Sequence, residues 1–420
     1  MGRHQFEAYL KKVFRFSALV AGLPDGRVYP QHELKKVFDA VFLGSVCQFT
    51  SIHQIETECR HGALSRRIGP LSEDTIRYTL ERLDPTAVFG LGCAIARRLK
   101  RNGVLRSPWA LGRVVAAADG IEICNSFTRC CDACLERTVK HTVDGEIRED
   151  IQYYHRISVV TVVCAPFPVP LGLRFQRRGE TEVECTLALL KDLAGALGRR
   201  FFDLLVGDAI YLQSPFVEAI EKLGLDWVFN LKDNQPGLLA EAERVTRGKP
   251  ASIISGPREK LSIWHVEEAY WPAADRSAVV VKTMRAQSVA RVAVHKDKTG
   301  NKTTAKGTIT ERSTNFYASN LVLGGIPPVF IHKLGRSRWS IDTEVFQTMT
   351  TEGNLKRPSI HQGHDRALVG LTMIRLLAYL LAMVFYHRQV CSHFPKPPYG
   401  FCSFARRLAY MFLTVRLDSS

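Results

Sequence analysis

The amino-acid sequence predicts a mixed α/β protein with a helical N-terminal region, a β-rich insertion and C-terminal helices. Three observations carry that expectation. Helix caps and helical spacing dominate up to about residue 110, and from Arg113 short apolar β-rich runs alternate with helical ones. Between Pro250 and Ile326 the chain turns polar and β-rich, before helical spacing resumes after Lys333. With 420 residues, 46% hydrophobic and 23% charged, the composition excludes a largely disordered chain, a collagen-like repeat and a coiled coil. The 57 Lys and Arg stand against 41 Asp and Glu, a formal net charge of +16 that calls for a polyanionic partner or a reason for lacking one.

In chain order, Ile52 to Arg60 reads as a helix ending near His61-Gly62. Ser72 caps a second, with Glu73 and Asp74 in its first turn and Ile76, Leu80 and Leu83 at helical spacing. Arg60, Arg66 and Arg67 lie between the two. The pair is either a DNA-reading helix-turn-helix or plain helical packing, and its connection is longer than the usual three or four residues.

RVVAAADG is a short apolar run ending in an acid and a glycine. RISVVTVVCA and PLGLRFQRR follow as two β-rich runs, Thr181 to Leu197 as a helix, and FFDLLVGDAIY as a strand ending at Asp208. Ser214 to Leu223 is helical and DWVFNLKDNQ is another strand. Three strands, a helix, a strand, a helix and a strand fit an RNase H-like fold. The expected organisation is a helical region at 1–110, a core in two parts at 111–249 and 327–390, an insertion at 250–326, and a basic tail at 391–420. KDKTGNKTTAKG is expected as a basic loop or hairpin.

The N-terminus offers no apolar run followed by a small-residue cleavage site, so secretion is not expected. The 11 cysteines are scattered from Cys47 to Cys402, which fits a reducing cytosol. Ala367 to Tyr386 has the length of a membrane span, but Arg375 sits at its middle, and it reads as a buried C-terminal helix rather than a membrane segment.

Asp119 and Asp208 each follow an apolar run and precede a small residue, Gly120 and Ala209. Carboxylates at strand exits can converge on magnesium, which prefers carboxylate oxygens, waters and phosphates. Taken singly, each Asp reads first as a turn cap, the commonest fate of a strand-end Asp. A regular helix through GRSRWSIDTEVFQTMTTE would place Trp339, Ile341, Val345, Phe346 and Met349 on one apolar face with Asp342, and Arg338 one turn earlier. Ser340, Thr343, Glu344, Gln347 and Thr348 would fall opposite. An Arg338–Asp342 structural ion pair and a metal-binding carboxylate are both consistent with that face.

AADGIEI, LLVGDAIY, VFNLKDNQ and SRWSID, taken in order from about Arg113 to Phe385, resemble the DDE transposases of bacterial insertion sequences, in the group with the Tyr, Arg, Glu, Lys (YREK) helix signature. The resemblance implies an RNase H-like core with a β-rich insertion, and cutting and joining of DNA with two magnesium or manganese ions. It places the catalytic acids on Asp119, Asp208 and Asp342, the last where the family usually has Glu, and the signature arginine on Arg338. The signature tyrosine and lysine would fall on Gly335 and Met349, with Arg336, Lys333 or Lys356 as substitutes. It further implies double-stranded DNA as partner, both terminal inverted repeats and target, a homodimer on paired ends, and a cytoplasmic, nucleoid-associated location. The competing expectation is a non-catalytic DNA-binding protein derived from a decayed transposase.

Cys131 and Cys134 have C-x-x-C spacing, and His141 and His155 follow in the same connection. They are either a structural zinc site or free, reduced cysteines with ordinary histidines. Lys232 and Asn234, with Arg129 and Arg137, are candidates to face phosphates, and Trp264 and Trp271 either stack on a base or pack within the insertion.

Overall fold

Helix caps written into the sequence mark where the helices begin. The structure, a computed structural model, describes residues 3–143, 145–296, 302–357, 359–360, 365–394 and 396–414. The tip of the basic hairpin, residues 297–301, lies outside them. The N-terminal helices are α1 (Arg3–Tyr9), α2 (Phe16–Ala21), α3 (Leu34–Val46), α4 (Ile52–Arg60), α5 (Glu73–Arg82) and α6 (Pro85–Arg101). The Ser51 hydroxyl accepts from the Gln54 amide, that of Ser72 from Thr75, and the Asp84 carboxylate from Thr86, each satisfying an otherwise orphaned first-turn N–H.

The chain forms two units, residues 1–202 with 339–420, and residues 203–338. In the first unit, β1 (Val115–Ser126), β2 (Leu135–Val143), β3 (Glu146–Val162) and β4 (Val169–Phe175) make an antiparallel array. The long β3 is its axis: β1 pairs along one edge, and β2 and then β4 along the other. Only the second half of β3 is buried, so the β2–β3 ribbon projects as a polar hairpin. Helix α7 (Glu182–Leu197) begins at Thr181, whose side chain and that of Glu184 form a reciprocal capping box, and packs on β3 and β4.

The first unit continues with a π-helical turn at Ile341–Phe346, α11 (Gln347–Thr351), α12 (Asp365–Gln389) and α13 (Phe401–Leu413). Helix α12 is the apolar segment expected as a core helix, and it is buried against α3, α5, α6 and β4. Arg375 is tolerated at its middle because its guanidinium donates to the carbonyls of Asn354 and Arg357 and to the Ser359 hydroxyl, at 3.0, 3.0 and 2.7 Å. Helix α5 spends its apolar face on α12, α3 and α4, as helical packing requires.

The second unit contains β5 (Leu204–Gly207), α8 (Ser214–Lys222), β6 (Asp226–Leu231), α9 (Pro236–Thr246), β7 (Ser252–Ser255), β8 (Glu259–Trp271), β9 (Arg276–Lys296), β10 (Lys302–Ser319) and α10 (Pro328–Ser337). β5 and β6 are parallel, joined by α8. The insertion then adds β10, β9, β8 and β7 as an antiparallel meander, entering through the pairing of Phe316–Ser319 with β6. Trp227 and Phe229 of β6 and Trp271 of β8 form an aromatic core of the second unit, with Trp227 and Phe229 stacked at 5.5 Å. The mixed α/β class, with N-terminal and C-terminal helices, is the one the sequence predicts.

Three local expectations are corrected. β1 does not stop at Asp119 but runs on to Ser126, because the chain beyond it continues to pair with the extended β3. The hairpin containing β2 is not anticipated, since its exposed, charged strands lack an apolar face. The segment after Arg338 is not one regular α-helix: its bonding widens to the π pattern over Ile341–Phe346. Ile341, Val345, Phe346 and Met349 are buried as expected, while Trp339 is 55% exposed.

Candidate carboxylate and cysteine–histidine sites

Asp119 lies within β1, opposite Val159 of β3, and half-buried. Its Oδ1 accepts from the Gly120 amide at 2.9 Å. Gly120 is small for a reason beyond the turn chemistry expected there: a Cβ would stand 2.6 Å from Cδ of Glu182. Glu182, at the first turn of α7, is 9% exposed, and its Oε2 lies 3.3 Å from Arg156 Nε. It is a buried carboxylate lying against Gly120, the residue that follows Asp119, and sequence reasoning misses it because in sequence it reads only as a helix-start acid.

Asp342 is carried by the π-helical turn that packs on β1, and it is half-buried while Glu344 is exposed. π-Helical turns shift the side-chain phase and recur at functional sites. Asp342 therefore keeps company with the strand that bears Asp119, within the same unit.

In the second unit, Asp208 follows β5 directly, at the strand exit expected for it, and its Oδ1 accepts from the Ala209 amide at 2.8 Å. The same oxygen receives Asn230 Nδ2 at 3.0 Å and Lys232 Nζ at 3.1 Å. Burial opposes ionisation of this carboxyl, but those donors and the charge of Arg338 outweigh it and hold its pKa below the ordinary value. Asn230 is not among the residues expected from sequence; it is a polar residue within the apolar run Trp227–Leu231 of β6, which is the available signal. Arg338 is buried, whereas Arg336, Lys333 and Lys356 are exposed.

Several phosphate-facing expectations meet a structural partner. Asn234 Nδ2 donates to the Ala209 carbonyl at 2.7 Å and so braces the turn after Asp208. Arg137 pairs with Glu122 at 2.9 Å and lies over the Tyr154 ring. Arg129 is exposed. Trp271 is fully buried with its Nε1 donating to Gln235, and Trp264 Nε1 donates to the Lys249 carbonyl, so both belong to the fabric of the second unit.

The signature positions of the resemblance are occupied differently. Met349 is 1% exposed. Gly335 is covered by the ring of Tyr317 from β10, whose hydroxyl pKa burial raises against the opposing charges of Arg336 and Arg338.

Three of the four sequence-expected soft ligands meet. Cys131 and Cys134 Sγ are 3.6 Å apart, and His155 Nε2 lies 3.3 and 3.4 Å from them. His141 is elsewhere on the exposed β2–β3 ribbon, its Nε2 3.4 Å from Asp150. All 11 cysteines are unbridged.

No protein-family model and no curated protein sequence matches the chain. Among solved structures it is similar to a piggyBac transposase in a synaptic complex with hairpin DNA, with a TM-score of 0.41 and 11% identity over 97% of this chain and 77% of that one.

Proposed function

We propose that the chain is a metal-dependent DNA transposase, with Asp119, Asp208 and Asp342 as its catalytic carboxylates. The observation that carries this reading is that the π-helical turn bearing Asp342 packs on β1, the strand that bears Asp119. The ionised state of Asp208, maintained by Asn230, Lys232 and Arg338, suits a hard-metal ligand. Two magnesium or manganese ions, when bound, would activate the attacking oxygen and stabilise the leaving oxygen of an in-line displacement. Asn230 and Asn234 orient Asp208 and its turn, and Lys232 and Arg336 offer positive charge to the DNA backbone.

The substrate is double-stranded DNA at the element's terminal repeats, then target DNA, handled by a homodimer on paired ends in the cytoplasm. The net charge of +16 suits that partner and predicts binding that weakens steeply with salt. A second reading, a DNA-binding descendant without catalysis, is favoured by one observation: the positions of the signature tyrosine and lysine hold the covered Gly335 and the buried Met349.

Nicking of DNA that carries the element's ends separates the two. The full chain should cut with magnesium and not with chelator, and Asp119→Asn and Asp208→Asn should each lower cutting by more than about a hundredfold while end binding stays within a few-fold. Retained cutting in either variant refutes the carboxylate assignment; magnesium-independent silence of the wild-type chain, with binding intact, establishes the second reading.

A further inference from the structure

The connection that follows β1 folds back so that Cys131 and Cys134, both in that loop, share one buried space with His155 of β3. Their donor atoms stand 3.6, 3.3 and 3.4 Å apart. Metal–sulfur bonds near 2.3 Å and metal–nitrogen bonds near 2.0 Å at tetrahedral angles require separations of about 3.5–3.8 Å. The agreement is within a few tenths of an ångström on all three edges. The Cys131 amide also points at Cys134 Sγ at 3.3 Å, and the Cys134 amide closes the turn on the Cys131 carbonyl at 3.1 Å.

We infer that Cys131, Cys134 and His155 form a zinc site, separate from the carboxylates, that fastens the 127–134 connection to β3. The inference does not rest on the transposase reading. Soft thiolates and an imidazole select zinc over the hard magnesium and manganese ions, and His155 binds through Nε2, so its proton resides on Nδ1. Three protein donors leave a fourth position for water. The ion's structural effect is local: it anchors the loop that presents exposed Arg129. Cys124 and Cys130 lie outside the mutually close set, Cys124 on β1 and Cys130 exposed.

Elemental analysis of the full chain, purified under reducing conditions, should find about one zinc per chain. Cobalt exchanged into the site should show the d–d bands of tetrahedral coordination and a sulfur-to-cobalt charge-transfer band. Cys131→Ser, Cys134→Ser and His155→Ala should each lose the ion, while Cys124→Ser and Cys130→Ser keep it. Should the first three variants fail to fold, chelator titration of the wild-type chain is the second readout, with zinc release lowering the thermal midpoint and added zinc restoring it. Metal-free wild-type protein with unaltered stability on adding zinc, or a Cys131–Cys134 disulfide in its place, overturns the site. Loss of zinc in Cys124→Ser overturns the three-ligand assignment.

Discussion

The ring of Tyr317, on β10, occupies the space that a side chain at position 335 of α10 would need: a Cβ there would overlap Cε1 and Cδ1 of the ring. The helix therefore needs glycine at the point where it crosses the strand, and a tyrosine covers that point from another element. In an unencumbered helix, Gly→Ala is stabilising by about 1 kcal/mol. Here Gly335→Ala is expected to destabilise by about 1–3 kcal/mol through overpacking. Urea denaturation measures it, and in a Tyr317→Ala background the penalty should largely vanish. An equal penalty in both backgrounds would show that the ring is not its cause.

The third carboxylate is tested by comparing neighbours. On the element that packs on β1, Asp342 is half-buried and Glu344 is exposed, although burial still raises the Glu344 carboxyl pKa against the hydrogen bond from Ser340. Asp342→Ala should lower strand transfer by more than about a hundredfold, Glu344→Ala should change it little, and Asp342→Glu should be tolerated. A dead Glu344→Ala beside an active Asp342→Ala would reverse the assignment.

Arg375 is 6% exposed, and desolvation lowers its pKa to about 10, yet its three acceptors keep it inside α12. Arg375→Met keeps the apolar stem and strands the carbonyls of Asn354 and Arg357. A loss of about 1–3 kcal/mol per stranded acceptor is expected, read as a lowered thermal midpoint. An unchanged midpoint would mean that water replaces the guanidinium.

His332 packs edge-on against Tyr317 at 5.7 Å, and burial, with Arg336 nearby, lowers its pKa from 6.5 to about 4. Below about pH 6.5 the unfolded chain takes up a proton that the folded chain refuses until about pH 4, so stability falls as pH drops through that window. The contribution reaches up to about 3 kcal/mol. His332→Gln should flatten the difference between unfolding free energies measured at about pH 7 and about pH 5. His387, likewise lowered to about 4 by burial, accounts for a residual slope.

What the sequence determined by itself is what short-range physics decides. Ser51, Ser72 and Thr181 start helices because their side chains satisfy nearby N–H groups, and Ala367 to Tyr386 is a core helix because its apolar surface must be covered. The strand before Asp208 and the acid at its exit were legible for the same reason. The tertiary structure alone decided what depends on distant partners. It prolonged β1 through Asp119 by giving it β3 to pair with, brought His155 and not His141 to the two cysteines by strand register, and set Glu182 against Gly120 and Tyr317 against Gly335. These are long-range contacts whose two halves carry no mark of each other in the chain. A π-helical turn is likewise invisible to a reading that assumes a constant helical period, which is why Trp339 was expected inside and is found outside.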